Sequence, residues 1–161
     1  MNYAYINPND VVNGEGVCVS FWCQGCPHHC EGCFNPETWD FKGGNPLPAD
    51  IIGIIIKMIS ANGIQRNFSI LGGEPLCDEN KELVNNLILK VRTAFPHIKI
   101  FLWTGYTLEA LKNKADTDAV INSILNNLDV LIDGLYEKEK RNLALKWRGS
   151  ENQEIHYLKN E

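Results

Sequence analysis

Apolar positions along the chain change their period in a way that is typical of alternating strands and helices. Short β-branched and aromatic runs, each closed by a polar or glycine-rich turn, predict five strands, at residues 17–22, 68–71, 98–103, 129–132 and 155–158. Between them, apolar residues spaced by three and four positions predict helices after Pro48 and at 79–94, 108–114 and 118–126. For the first helix, the predicted buried face consists of Ile52, Ile55, Ile56 and Ile59.

Strands and helices that alternate at intervals of roughly 30 residues favour right-handed βαβ units around a mostly parallel sheet. A closed barrel of eight such units needs about 250 residues, whereas this chain has 161. The sequence therefore predicts an α/β fold with a partial, open (β/α) barrel, formed by a single domain over residues 1–161. In such folds ligands bind at the carboxyl ends of the strands, so the turns after the predicted strands are candidate sites.

The composition excludes several classes of protein. A net charge of −5 and a pI near 5.4 provide no excess of cations to bind nucleic acid phosphates. The longest apolar stretch, residues 51–59, is interrupted by Gly53 and Lys57 and is far shorter than the roughly 18 residues of a membrane span. The first residues lack the basic and apolar regions of a secretory signal. We therefore expect a cytoplasmic protein with neither nucleic acid nor a membrane as partner.

Cysteine is the residue type that points to chemistry. Six cysteines are present, and four of them lie between residues 23 and 33. Cys26, Cys30 and Cys33 are spaced so that one short loop can bring three thiolates to a common centre. In a reducing compartment such crowding indicates metal ligation rather than disulfides, and thiolates favour iron–sulfur clusters or zinc. A cluster held by three cysteines leaves one iron open to a substrate.

The residues alone leave three alternatives open. Cys23 with the other three cysteines, or with His28 or His29 as a substitute, is chemically able to hold structural zinc. The same four cysteines are also able to hold a ferredoxin-like cluster for electron transfer. The thiols are otherwise disulfide-bonded or simply buried. We expect the two histidines at the loop surface rather than as ligands.

The spacing Cys26-x3-Cys30-x2-Cys33 resembles the signature of the radical S-adenosylmethionine (SAM) enzymes. Nearly the whole chain resembles one family among them, the anaerobic ribonucleoside-triphosphate reductase activating proteins. The segments that carry this resemblance are residues 10–14, 25–35, 38–39, 72–76, 103–106, 131–134 and 147–150 with Asn152 and Gln153. The chain departs from the wider pattern directly before the third cysteine, where many radical SAM enzymes have an aromatic residue and this chain has Gly32, followed by Phe34 after the cysteine.

The resemblance implies a partial barrel of radical SAM type and a 4Fe-4S cluster on Cys26, Cys30 and Cys33 as the catalytic centre. It implies SAM as the second cofactor, chelated to the fourth iron and cleaved to a 5′-deoxyadenosyl radical. That radical abstracts hydrogen from a glycine of the partner, the large subunit of anaerobic ribonucleoside-triphosphate reductase. The electron comes from a low-potential donor such as flavodoxin.

Two segments are candidates for binding SAM. Gly72, Gly73 and Glu74 follow a predicted strand, where glycines allow close backbone approach and the carboxylate can bind the methionyl ammonium or order the loop. The alternative is an ordinary strand-to-helix turn. Gly32, Cys33 and Phe34 are expected against the adenosyl group, with Phe34 offering its ring face or serving as a core aromatic.

Further signals are weaker, and other functions compete. Residues 104–106 and 133–134 either line the site or form plain turns, and Arg148 either pairs with the methionyl carboxylate, contacts the partner or is solvated. The functional alternatives are an activase of another glycyl radical enzyme, of the pyruvate formate-lyase type, and a non-enzymatic ferredoxin-like or zinc module.

Overall fold

The structure, a computed structural model, describes residues 1–159 as one sheet with helices between its strands. The strands are β1 (Asn2–Asp10), β2 (Cys18–Cys23), β3 (Asn45–Pro46), β4 (Asn67–Gly72), β5 (Ile100–Trp103), β6 (Val130–Asp133) and β7 (Glu154–Tyr157). The helices are α1 (Ile51–Ile59), α2 (Lys81–Ala94), α3 (Leu108–Ala115) and α4 (Ala119–Asn127). Single 3-10 turns lie at Pro36–Thr38, Ala61–Gly63 and Lys138–Lys140.

The seven strands follow the order β3-β1-β2-β4-β5-β6-β7. The four central strands, β2, β4, β5 and β6, are parallel, and antiparallel strands flank them on both sides. The order is linear, so the sheet stays open. The prediction of an α/β fold with an open, mostly parallel sheet is therefore confirmed.

The first strand was not predicted. Residues 2–10 contain Pro8 and several Asn and show no strict alternation of apolar and polar side chains, and their burial is irregular as well. The strand forms because it pairs antiparallel with β2 and because Tyr5 stacks on Trp22 with ring centroids 4.6 Å apart. Tertiary pairing thus outweighs a weak local preference. The two-residue β3, which pairs with the start of β1, was likewise not predicted.

The main core lies between the sheet and its helices. All six residues of β2 are buried, as expected for a central parallel strand covered on both faces. On α1 the buried residues are Ile51, Ile55 and Ile59, whereas Ile52 and Ile56 are half-buried. The predicted face was therefore wrong in part, since the four-residue spacing from Ile51 is the one that faces the core.

The helix ends follow their local sequence. Thr107 Oγ1 accepts a hydrogen bond from the Ala110 N–H at the start of α3, and Asp118 Oδ1 accepts from two backbone N–H groups at the start of α4. Such side chains satisfy donors that the helix itself leaves unpaired. α2 ends just before Pro96, which is unable to continue a helix.

Alternate residues of β5 and β6 face opposite sides of the sheet. Ile100, Leu102 and Leu131 belong to the helix-covered core, while Phe101 and Ile132 belong to a smaller cluster on the other face. Trp103, Trp147 and Ile155 pack against this smaller cluster. No helix within residues 1–159 is long and apolar enough to cross a membrane.

Candidate functional site

A cleft of about 510 Å³ lies at the carboxyl ends of the parallel strands. Each strand supplies the segment that follows it: the cysteine loop after β2, the Gly-Gly-Glu turn after β4, Thr104 and Gly105 after β5, and Gly134 after β6. Seven of the eight predicted site residues line this cleft, namely Cys26, Cys30, Cys33, Phe34, Gly72, Gly73 and Glu74. The sheet topology brings these residues together although they are up to 48 positions apart in sequence (Cys26 to Glu74).

The cysteine loop is anchored at its base by backbone hydrogen bonds. The N–H groups of Gly25 and Cys26 donate to the carbonyl oxygens of Thr38 and Trp39, at 2.7 and 3.1 Å. Gly25 has φ +99° and packs so closely against the Phe41 ring that a Cβ atom would overlap it. Glycine is required there for both reasons. Farther along, the Cys33 N–H donates to the Cys30 carbonyl at 3.1 Å, which closes a tight turn between the second and third thiols.

Backbone N–H groups donate hydrogen bonds to all three sulfurs, and burial acts on the thiols as well. Burial raises the pKa of Cys26, and the N–H groups of His28 and His29 at its sulfur oppose that effect. Burial also raises the pKa of Cys30, with the Tyr136 N–H acting in the opposite direction. Cys33 Sγ accepts from the Asn35 N–H at 3.3 Å.

Such N–H donors stabilise negative sulfur. Hydrogen bonds to sulfur are also among the features that set the reduction potential of iron–sulfur clusters. All six cysteines of the chain are free thiols, so the cleft thiols remain available as ligands. The donor set of the cleft therefore fits an iron–sulfur cluster.

The remaining cysteines lie outside this cleft. Cys23 is the last residue of β2 and is almost completely buried, and burial raises its pKa well above the ordinary value. Cys77 donates from Sγ to the Glu74 carbonyl at 3.1 Å, and burial raises its pKa to about 12. Neither thiol lines the cleft within the described chain. This placement disfavours the four-cysteine arrangements that used Cys23.

Glu74 is a buried carboxylate with a full set of partners. It is 1% exposed and accepts hydrogen bonds at both oxygens. Oε1 accepts from Thr104 Oγ1 at 2.7 Å and from the Leu76 N–H at 2.9 Å, and Oε2 accepts from the Gly105 N–H at 2.7 Å and His28 Nε2 at 2.7 Å. Of its two expected roles, the geometry favours ordering the loops over binding a ligand directly.

His28 does not lie at the loop surface, as the sequence led us to expect. Its side chain is 15% exposed, bonds to Glu74 and meets the Tyr106 ring edge-on, with centroids 4.8 Å apart. The expectation failed because it took no account of the buried carboxylate that the β4 turn brings to the cysteine loop. The neighbouring His29 is exposed and stacks on Trp39, with centroids 4.7 Å apart.

The Gly-Gly-Glu turn packs directly on the base of the cysteine loop. The N–H groups of Gly73 and Glu74 donate to the carbonyl oxygens of Cys23 and Gly25, both at 2.9 Å. A Cβ atom on Gly73 would overlap the Gly25 carbonyl. Asn80, buried before α2, adds side-chain hydrogen bonds to the carbonyl oxygens of Gly25 and Glu74. This is more than an ordinary turn, since it holds two segments of the site together.

Of the residues expected near the adenosyl group, Cys33 and Phe34 line the cleft and Gly32 does not. Phe34 lines the cleft, is half-exposed, and meets the Tyr136 ring with centroids 4.9 Å apart. The guanidinium of Arg141 lies 5.1 Å from the Phe34 ring centroid. Gly32 lies outside the cleft lining, beside the side chains of Lys138 and Tyr136. Phe34 is therefore not a core aromatic, and its accessible ring edges the cleft.

Several cleft residues were missed from the sequence or used only to support the resemblance, except Arg148, for which contact with the methionyl carboxylate was one of the expected roles. Trp22, Trp103 and Trp147 line the cleft, as do Asn13, Tyr136 and Arg148. Asn13 is held by the buried Asp10, which accepts from its backbone N–H at 3.0 Å and from its side-chain amide at 2.8 Å. An Asp followed three residues later by Asn-Gly is a turn signal that was available in the sequence. The Tyr136 and Trp147 positions carried no comparable signal.

Comparison with known proteins agrees with this chemistry. A family model described as a 4Fe-4S single cluster domain matches residues 12–156. The anaerobic ribonucleoside-triphosphate reductase-activating protein of Pasteurella multocida is 37% identical over 157 residues, which cover 97% of each chain. The protein of that name from Enterobacteria phage T4 is 40% identical over 96% of this chain and 93% of its own. The one from Escherichia coli K12 is 34% identical over 99% of this chain and 100% of its own.

Fold, cleft and family match together define an α/β protein with a single-cluster 4Fe-4S domain. More narrowly, the chain belongs to the family of anaerobic ribonucleoside-triphosphate reductase-activating proteins.

Proposed function

We propose that this protein is a radical SAM activase that generates a glycyl radical on anaerobic ribonucleoside-triphosphate reductase. The observation that carries the proposal is the grouping of three, and not four, cysteine thiols around one cleft at the strand ends. A cluster on three thiolates retains an iron that a small cosubstrate can bind. The names of the relatives supply the partner, the reductase.

The cofactors supply the redox chemistry. When bound, a cluster reduced by a low-potential donor of the flavodoxin class would supply the electron for reductive cleavage of SAM, and with it the 5′-deoxyadenosyl radical that would take a hydrogen atom from a glycine Cα. The products are methionine, 5′-deoxyadenosine and the glycyl radical of the partner. Cys26, Cys30 and Cys33 would hold the cluster.

The other residues of the chain bind and orient. The Glu74 network joins the cysteine loop to the ends of β4 and β5, so the three thiols and the Gly72–Gly73 backbone are held as one wall of the cleft. We assign Gly72 and Gly73, whose backbone borders the cleft, to the methionyl end of SAM. We assign Phe34 and the preceding Cys33, which line the cleft, to the adenosyl end, whereas Gly32 lies outside the lining. Apolar side chains that also line the cleft, such as Trp22 and Ile132, would exclude water from a reactive radical.

The open sheet leaves the cleft accessible to a large partner. A full barrel would surround the site, whereas here the rim is formed by loops, and we propose that the fold is the partial barrel of radical SAM type. Val12 and Phe34 line the cleft and are 72% and 48% exposed, and Val11, which precedes Val12, is 70% exposed. Apolar groups at such a rim are suited to contact a loop of the reductase.

Anaerobic incubation with dithionite, SAM and the reductase tests the proposal. We expect 5′-deoxyadenosine together with the EPR doublet of a glycine-centred radical on the reductase. The matched comparison uses pyruvate formate-lyase in place of the reductase, and it should give no radical. Formation of the radical on that enzyme alone, or of neither product, contradicts the assignment.

A further inference from the structure

A second cleft, of about 790 Å³, adjoins the first at the end of β6. It shares Gly105 and Gly134 with the cysteine cleft but contains none of the cysteines of residues 1–159. Its charged lining is predominantly acidic, with one basic side chain, Lys112, and four carboxylates, those of Glu109, Asp133, Glu137 and Glu154. Such a cleft attracts cations.

Three side chains of metal-ligating type meet at the wall of this cleft. Asp133 and Glu154 are opposite each other in the antiparallel pair of β6 and β7, and His156 is two residues farther along β7, on the same face. One ligand atom from each lies within 4.8 Å of the others. The sheet register therefore places an imidazole and two carboxylates around one point.

The imidazole nitrogen approaches both carboxylates without forming a well-oriented hydrogen bond to either. His156 Nε2 is shielded from solvent and, within residues 1–159, makes no hydrogen bond, although Asp133 Oδ2 and Glu154 Oε2 are 3.1 and 3.6 Å away. Asn152 Oδ1, on the same cleft, is a second buried acceptor without a partner. Buried polar atoms of this kind cost free energy unless an ion or a water satisfies them.

A backbone hydrogen bond fixes the orientation of the buried Asp133 carboxylate. Asp133 is 5% exposed, and its Oδ2 accepts the Leu108 N–H at the start of α3 at 2.6 Å. A ligand carboxylate that is hydrogen-bonded by a neighbouring group is typical of metal sites, because the bond fixes its orientation.

We propose that Asp133, Glu154 and His156 bind a divalent first-row transition-metal ion. One imidazole nitrogen and two carboxylates are the donors that Mn²⁺ and Zn²⁺ accept, whereas a cuprous ion or an iron–sulfur cluster would require thiolates. The bound ion links the edge strand β7 to β6 and, through Asp133, to the start of α3. The segment after Asp133 leads to Tyr136 beside the cysteine loop, so the ion stabilises one wall of the first cleft as well. This proposal does not depend on the proposed activase function.

Mn²⁺ is the probe that tests the site, because thiolates compete for it less than for zinc. The cluster-loaded protein, kept oxidised so that the cluster is EPR-silent, is titrated with Mn²⁺ while the free six-line Mn²⁺ signal is measured. We expect the free signal to stay suppressed until one ion per chain has bound, and to rise in proportion to added Mn²⁺ after that. Absence of any binding, or weak binding to many sites, overturns the proposal.

Matched variants identify the site. His156→Gln and Glu154→Gln should each weaken Mn²⁺ binding by about tenfold or more, since even second-shell changes at metal sites cost 10–100-fold. His97→Gln and Glu151→Gln, at exposed positions elsewhere, should leave it unchanged. Mn²⁺ should also raise the Tm of the unaltered protein but not that of His156→Gln. Equal binding by all four variants contradicts the assignment, and Glu154→Gln, whose side chain is 70% exposed, provides the test if His156→Gln does not fold.

Discussion

The Nε2 atom of His28 lies 2.7 Å from Oε2 of Glu74, and this bond joins the cysteine loop to the turn after β4. The two residues are 46 positions apart. Glu74 is also bonded to Thr104 and Gly105 after β5, so one buried carboxylate connects three of the segments that form the cleft. The geometry of the cysteine loop therefore depends on a side chain that is not itself a candidate ligand of the cluster.

Removal of this carboxylate should destabilise the protein. Glu74→Ala leaves the buried donors of Leu76, Thr104 and Gly105 without an acceptor, and we expect a loss of about 3 kcal/mol in the free energy of unfolding. Urea denaturation of the cluster-free protein measures it. Glu82→Ala, at an exposed position on α2, is the control and should change stability by less than about 0.5 kcal/mol. Equal effects of the two changes would refute the structural role of Glu74.

The cysteines should separate into two groups by iron content. Under the proposed function, Cys26→Ser, Cys30→Ser and Cys33→Ser each remove a ligand, and anaerobically reconstituted protein should lose most of its iron and its brown absorbance. Cys23→Ala and Cys77→Ala should retain both, because these buried thiols lie outside the cleft. Iron analysis and absorbance spectra measure the outcome. Loss of iron in Cys23→Ala with retention in Cys33→Ser would instead support a ferredoxin-like site.

The parallel central strands and the edge at which the candidate site lies could be predicted from the sequence for a physical reason. Central parallel strands such as β2 and β4 are continuous apolar runs, and their carboxyl ends must lie at the same edge. The convergence of Cys26, Glu74 and Thr104 follows from that topology. β1 could not be predicted in this way, because its stability comes from pairing with β2 and from the contact of Tyr5 with Trp22.

The residues that complete the site were harder to predict. Tyr136 and Trp147 reach the cleft through the irregular segment between β6 and β7, where no periodicity indicates which side chains face inward. The burial of His28 depends on Glu74, which is distant in sequence. Residues placed by a strand end are thus predictable, whereas residues placed by long-range polar contacts are not.

Gly73 should not tolerate a side chain, because its position lacks space rather than because of its backbone conformation. Gly73→Ala forces a methyl group against the Gly25 carbonyl, and we expect a cost of about 3 kcal/mol, the upper end for overpacking. Gly63→Ala is the matched comparison: its φ of +70° is strained for alanine, but no atom lies within 4 Å of the added Cβ. It should cost only about 1 kcal/mol. Denaturation midpoints compare the two, and a smaller cost for Gly73→Ala would contradict the close packing described.

Asp10 should make the protein sensitive to acid. Burial alone would raise the pKa of Asp10, but hydrogen bonds from Asn13, Ser20 and Val12 together lower it below the ordinary value. A carboxylate with a lowered folded-state pKa contributes stability that is present above the unfolded pKa of about 3.9 and is lost as the pH falls through the folded value.

The Asp10→Asn variant tests this dependence. It should be less stable than the unaltered protein at pH 7, by about 1–2 kcal/mol. The difference should shrink as the pH falls below about 4, because the carboxylate is protonated first in the unfolded state and only at lower pH in the folded state. Urea denaturation of the cluster-free proteins between pH 7 and 3 measures the difference, and a gap that stays constant over this range would rule out the lowered pKa as its source.

The central claim is that Cys26, Cys30 and Cys33 hold a cluster with one iron that lacks a protein ligand. Mössbauer spectroscopy of protein reconstituted with ⁵⁷Fe, recorded before and after addition of SAM, tests it most directly. We predict that a single iron of the cluster changes its isomer shift when SAM binds, while the others are unaffected. Spectra that show only thiolate-ligated iron and do not respond to SAM would contradict the account.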